Sequence, residues 1–115
     1  MQYRSLFTLP VTAGATVLAE RAVGANGQHA AAAGRMFGIA RAGAATGEQF
    51  PVDVIGSAIA TAGAPVALGA ELQVGTEGKL ITRTNGVGVA IALEAAAGDD
   101  SRFEVLLLPS GTPAA

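Results

Sequence analysis

The chain contains no cysteine and no tryptophan, a single histidine, and aromatic residues at only 4% of its 115 positions. Without cysteine there is neither a disulfide framework nor a thiolate metal site, so added stability has to come from packing or oligomerisation. One histidine, His29, excludes a histidine pair for metal binding or a proton relay. Charged residues make up 14%, no run of like charge occurs, and the formal net charge is −2. A phosphate-binding surface needs a basic face, so nucleic acid is not an expected partner. The first ten residues, from Met1 to Pro10, hold no apolar stretch of the secretory kind. No apolar run reaches the ~18 residues of a membrane span without a glycine or a charge inside it. The expectations are synthesis in the cytoplasm and no membrane partner.

Half of the residues are hydrophobic, and mean hydropathy is +0.46. That is too apolar for a disordered tail. It is also rather apolar for a solitary soluble domain, which implies that a partner covers part of the surface. The alternative is that alanine, which surfaces tolerate, dominates the apolar count. A chain of this length fits one domain, residues 1–115, with a modest core.

Internal repetition is the most informative feature. Thr12-Ala13-Gly14-Ala15-Thr16-Val17 recurs as Thr61-Ala62-Gly63-Ala64-Pro65-Val66, and Val23-Gly24-Ala25-Asn26-Gly27-Gln28 as Val74-Gly75-Thr76-Glu77-Gly78-Lys79. Gly38-Ile39-Ala40 is matched by Gly88-Val89-Ala90, Gly47-Glu48 by Gly98-Asp99, and Phe50-Pro51-Val52 by Phe103-Glu104-Val105. The order is kept in both halves, which predicts two pseudo-repeats, residues 11–55 and 60–107, related by a pseudo-twofold axis.

Each unit reads as strands joined by tight turns. Asn26-Gly27 can supply the positive φ values of a hairpin turn, and Glu77-Gly78 sits in the matching place. Lys79 to Thr84 is β-branched and partly alternating. Phe50, Val52 and Val54 alternate and so share one strand face. The segment from Phe103 begins in the same way and then becomes wholly apolar at Leu106-Leu107-Leu108, which predicts a strand buried on both faces. Pro51 lacks an amide donor, which predicts an edge strand or a strand start. Alanine favours helix, but His29–Ala33 and Leu93–Ala97 are stopped by Gly34 and Gly98 within about one turn, too short to stand alone. The expected fold is all-β, a small barrel or sandwich with at most one or two short helical turns. Pro109 to Ala115 has the composition of a flexible tail.

Candidate chemistry is sparse. His29 aligns with Leu80 and reads as an ordinary strand position. Asp99-Asp100 follows Gly98 in a turn, with too few acidic neighbours for a hard cation. Gly86-Val87-Gly88 lacks the third glycine and the helix of a dinucleotide site, and Gly75 to Lys79 has the wrong spacing for a phosphate loop. Ser5, Ser57, Ser101 and Ser110 lack a nucleophile elbow. No catalytic, cofactor-binding or metal-binding residue is assigned, and no enzyme is expected. The first ten residues lie outside the repeat and form an apolar arm carrying Tyr3, Leu6, Phe7 and Leu9. Pro10 holds its predecessor extended, so the arm either adds to a sheet edge of a neighbouring subunit or is the first strand of its own barrel. The first alternative makes Tyr3, Leu6, Phe7 and Leu9 candidate interface residues.

The second half resembles the capsid cement (head decoration) proteins of tailed bacteriophages. The residues that carry the resemblance run from Ala62 to Val74, through Gly78-Lys79-Leu80, to Gly86-Val87-Gly88-Val89-Ala90-Ile91-Ala92 and the alanine run ending Gly98-Asp99. It extends over roughly residues 12 to 108. Two departures are a polar Gln73 where many relatives carry an aromatic, and an apolar arm where relatives often begin with a polar strand. The resemblance implies a small β-barrel or sandwich that binds the outer shell surface as a homodimer or homotrimer and clamps neighbouring major capsid subunits. A rival reading is a β-sandwich carbohydrate-binding module of a phage tail or fibre, which would usually display exposed aromatics. The scarcity of aromatics tells against it.

Overall fold

A computed structural model describes residues 5–24 and 26–108, with side chains from Thr8 onward. Its longest strand is β4 (Gln49–Thr61), thirteen residues in which buried Phe50 and Val52 are followed by the small buried residues Ala58 and Ala60. Around it lie β1 (Ser5–Thr12), β2 (Ala22–Val23), β3 (Gly38–Ala40), β5 (Glu71–Val74), β6 (Leu80–Thr82), β7 (Ala90–Ala92) and β8 (Arg102–Leu107). All belong to one sheet in the order β2-β3-β4-β8-β7-β5-β6, with β1 also paired to β4. Every strand pairing is antiparallel. A parallel bridge from Ala62 to Leu80 brings the end of β4 against β6, so the sheet curls into a nearly closed, barrel-like shape. The expected all-β fold is present. Among the described residues the one helical element is a 3-10 turn, Thr76–Gly78, and neither alanine stretch is helical.

β4 serves two ladders in succession. Its first part pairs with β1, from Thr12 opposite Gln49 to Ser5 opposite Gly56. Its second part pairs with β8, from Ser57 opposite Leu106 to Thr61 opposite Arg102. The change of partner falls at Gly56, whose φ of 98° lies where L side chains are strained and glycine is not.

The two ladders correspond position by position. Val11 faces Phe50 as Ala60 faces Phe103, and Leu9 faces Val52 as Ala58 faces Val105. On the other side Ala40 pairs with Val52 as Ala92 pairs with Val105. The bridge from Val17 to Ala44 has its counterpart from Val66 to Ala96. Two sequence matches are displaced in this register. Ala90–Ala92, rather than Gly88–Ala90, takes the place of Gly38–Ala40. Asp100-Ser101, rather than Gly98-Asp99, makes the backbone bonds to Ala62 that Gly47-Glu48 makes to Ala13. The slip arises beyond the Gly27 and Gly78 turns, where the second half carries extra residues before β7 and again before Asp100. Gly27 and Gly78 hold nearly equal φ values, 78° and 75°. Their loops close alike, Gly24 N–H donating to the Gln28 carbonyl and Gly75 N–H to that of Lys79. Inside, the loops differ: Gly27 N–H donates to Gly24 in one, Lys79 N–H to Thr76 in the other.

Burial follows the same plan. One cluster gathers Ala13, Val17, Val23, Ala40, Phe50 and Val52. The larger one holds Ala62, Val66, Leu72, Ala92, Phe103 and Val105 at the equivalent places, and adds Ala22 and Ile39 from the opposite faces of β2 and β3. β2 and β3 are therefore buried on both sides.

Two expectations are corrected. β8 is not buried on both faces: Phe103, Val105 and Leu107 point inward, whereas Leu106 is 40% exposed. The strand keeps its period of two because the described residues cover only one face of this part of the sheet. Pro51 is neither at an edge nor at a strand start, since β4 has β1 on one side and β3 on the other. It is tolerated because Ala40, the last residue of β3, pairs with Val52, and the Pro51 carbonyl accepts from Arg41 N–H. Backbone N–H and C=O of one strand residue point to the same side, so the missing amide of Pro51 falls beyond the end of β3.

Candidate functional site

Each charged cluster has a local structural role. Arg41 and Thr8 both reach Asp53, by an ion pair of 3.0 Å and a hydroxyl hydrogen bond of 2.9 Å. This satisfies a carboxylate that β4 holds almost wholly buried. Lys79 bridges Asp99 at 3.0 Å and Asp100 at 2.8 Å. The Asp100 and Asp99 carboxylates raise the Lys79 pKa, and Lys79 in turn lowers that of Asp100. A hollow of about 380 Å³ is lined by Leu18, Arg21, Thr61, Asp100 and Arg102 among others. Arg102 pairs with Glu20 at 2.6 Å, Asp100 with Lys79, and Arg21 donates from Nη1 to the Glu77 carbonyl at 3.1 Å, while its buried Nε has no partner among the described residues.

His29, read from the sequence as an ordinary strand residue, bridges to Val23. Its Nε2 accepts the Leu18 amide at 3.1 Å. Partial burial lowers its pKa, Arg21 adds to the effect, and Glu77 opposes it. Gln73, a polar departure from the family resemblance, is buried. Its Oε1 accepts from the amides of Thr84 at 2.9 Å and Gly86 at 2.8 Å, tying the loop after β6 to β5. No spacing rule marks Gln73, because the two amides it satisfies lie more than ten residues away. Among the described residues no three His, Asp or Glu side chains come together as a metal-ligand set.

Of the four candidate interface residues, Leu6, Phe7 and Leu9 lie in β1, antiparallel to the chain's own β4. Phe7 is opposite Ile55, and Leu9 is half-buried opposite Val52. Tyr3 lies outside the described residues. β1 pairs with β4 alone among the described strands. Pro10 faces Pro51, and its missing amide points to the unpaired edge, which blunts that edge against indiscriminate pairing.

The outer face of β7, β8 and the second part of β4 presents a different surface. Ile91, Leu106 and Ser57 lie directly opposite one another across the three strands. Ile59 and Glu104 form the adjoining row, extended by Leu93, whose amide donates to the Glu104 carbonyl. Leu93 and Leu106 are 41% and 40% exposed. The Ser57 hydroxyl donates to Glu104 at 3.1 Å, and Glu94 accepts the Glu104 amide at 2.8 Å. The sequence hid this surface, because the apolar run Leu106–Leu108 reads as core.

The chain matches none of the curated protein sequences. A solved structure similar to it is the N base of head fiber gp8.5 in bacteriophage phi29, at 18% identity and a TM-score of 0.72, covering 92% of this chain and 97% of that one. At that identity the likeness concerns the fold. The family described as phage cement protein matches residues 1–107. That match takes in every described strand, and the protein belongs to the phage cement protein family, with a structural, capsid-associated role.

Proposed function

We propose that the protein binds the outer surface of a phage head and stabilises contacts between neighbouring major capsid subunits. Membership of the cement family over residues 1–107 is the observation that carries this reading. Its partners are then the major capsid protein and further copies of itself, as a homodimer or homotrimer, with no direct contact to nucleic acid or membrane. The chain is made in the host cytoplasm and ends on the outer capsid of the virion. Attachment at many symmetry-related sites turns weak single contacts into high avidity. The arm residues Tyr3, Leu6, Phe7 and Leu9 offer a second contact, because β1 pairs with β4 alone among the described strands and a neighbouring strand can add to its other edge.

The test is co-sedimentation. The purified protein is expected to pellet with phage heads and not with tails, and heads lacking it are expected to lose DNA at lower temperature. Pelleting with tails alone overturns the reading. A second reading draws on the similar structure, the base of a head fiber: this chain would then seat a fibre on the head. Electron microscopy of heads with and without the protein separates the two, because a fibre base leaves a projecting appendage.

A further inference from the structure

The two halves of the chain provide an internal control for the hollow beside Arg21. Its wall is Leu18, Ala19 and Arg21 from the loop before β2, Thr61 at the end of β4, and Asp100 and Arg102 around the start of β8. Glu20 joins them: its carbonyl accepts the Thr61 amide at 2.9 Å, and its carboxylate meets Arg102. Each of these charged residues has an uncharged equivalent in the other half. Glu20 N–H donates to Ala40 as Gly69 N–H does to Ala92, and the carbonyls that accept the Ala40 and Ala92 amides are those of Arg21 and Ala70. Asp100 stands in the place of Gly47. Arg102 lies opposite Thr61 as Gln49 lies opposite Thr12. The fold therefore closes without charge at all four positions. At two of them the charge also brings strain. Glu20 and Asp100 hold φ values of 63° and 68°, where Gly69 and Gly47 hold 84° and 90°. That region disfavours side chains, and residues held there cluster at functional sites.

The polar groups around the hollow are unevenly satisfied. Glu20 holds Arg102, and Lys79 holds Asp100, which forms no ion pair with Arg21. Arg21 is half-buried, and none of the ion pairs of the described residues includes it. Beyond its bond to the Glu77 carbonyl, its buried Nε is left without a partner. Thr61 is 6% exposed, and its hydroxyl has no hydrogen-bond partner among the described residues. A cation withdrawn from water is costly unless an opposite charge and hydrogen bonds compensate it. The open donors, a planar guanidinium and a hydroxyl, match the two oxygens of a carboxylate. Leu18 and Ala19 supply an apolar wall for the short aliphatic stem that carries such a group.

We propose that the hollow between the loop before β2, the end of β4 and the start of β8 is a binding site for a carboxylate, held by the Arg21 guanidinium and the Thr61 hydroxyl with Arg102 at the rim. The site stands independently of the capsid-binding reading. Three probes test it: N-acetylglutamate amide, whose side chain stands for that of a partner polypeptide, sodium acetate as a free carboxylate, and N-acetylglutamine amide as the uncharged control. Titration of the protein at constant ionic strength is followed by NMR at the Arg21 Nε–H and the Thr61 amide. Both carboxylates are expected to give saturable shifts, and the glutamine derivative none. Tighter binding of the glutamate derivative assigns the site to an acidic side chain, and acetate binding as tightly or more tightly assigns it to a small free carboxylate. Arg21→Gln is expected to weaken binding at least about tenfold, and Thr61→Val several-fold. Asp100→Asn removes a like charge while asparagine tolerates the positive φ, so it is expected to tighten binding. Arg83→Gln, on another loop, is expected to bind as wild type does. Thermal unfolding monitors each fold, and the wild-type and Asp100→Asn titrations decide the matter if Arg21→Gln does not fold. Shifts that fail to saturate, or that the glutamine derivative reproduces, overturn the site and leave the hollow to water. Equal binding of sodium phosphate or sodium chloride means an adventitious ion only, and overturns it as well.

Discussion

Phe50 and Phe103 occupy the same place in two successive ladders, one opposite Val11 and the other opposite Ala60, and both are buried to within 2% of complete. Each anchors one core, and the cores share β4 and the doubly buried β2 and β3. Truncation of either ring leaves a cavity that its neighbours refill only in part. Phe50→Ala and Phe103→Ala are each expected to cost about 3–5 kcal/mol, Phe103→Ala the more because its cluster is larger. Denaturant unfolding should show a single transition in both variants, since β4 belongs to both ladders. Two separated transitions would show that the cores fold independently.

Turn glycines give a graded series. A Cβ on Gly27 would collide with the Thr12 carbonyl oxygen, and one on Gly78 would lie 2.6 Å from that of Ala22. Gly47 has a positive φ of 90° but open space around it. Gly47→Ala should therefore cost only the conformational strain, about 1 kcal/mol. Gly27→Ala and Gly78→Ala should cost clearly more, about 2–4 kcal/mol, because backbone has to move. Equal losses at all three positions, measured by thermal unfolding, would contradict this ordering.

Asp53 is buried with Arg41 and Thr8 as partners. Arg41→Ala leaves a buried carboxylate with one partner fewer, and should cost about 2–3 kcal/mol. The double variant Asp53→Ala/Arg41→Ala should be less damaging than the sum of the two single changes, which a double-mutant cycle reads directly.

His29 should make stability depend on pH near neutrality. Its folded-state pKa lies below the ordinary 6.5, so the folded protein binds fewer protons than the unfolded chain. The contribution is complete above about pH 6.5 and is lost as pH falls through the lowered folded pKa. Protonation also removes the acceptor that Nε2 offers to Leu18. Between about pH 7.5 and about pH 5.5 the unfolding midpoint of the wild type should fall further than that of His29→Gln, whose amide oxygen can still accept.

Removal of residues 1–9 takes away most of β1, which pairs with the first part of β4. The truncated chain is expected to lose stability measured by circular dichroism and thermal unfolding. If it keeps its stability but loses oligomerisation or shell binding, the arm acts as a contact and not as a barrel strand.

The class of fold was legible in the sequence because it depends on local signals. Period-two alternation at Phe50–Val54, turn glycines at 27 and 78, and alanine runs stopped by Gly34 and Gly98 all follow from backbone sterics and side-chain direction within a few residues. Other features depended on what lies across the sheet. Leu106–Leu108 reads as a run buried on both faces, yet Leu106 is exposed because no described residue covers that side of β8. Pro51 reads as an edge residue, yet its strand is flanked by β1 and β3, and the missing amide is tolerated because β3 ends one pairing earlier. Gln73 reads as a polar departure, yet it satisfies two distant amides. Strand propensity and turn chemistry are properties of neighbours along the chain, so the sequence determined them. Which face of a strand is covered, and which buried polar group finds a partner, are properties of neighbours in space, and only the tertiary structure decided those.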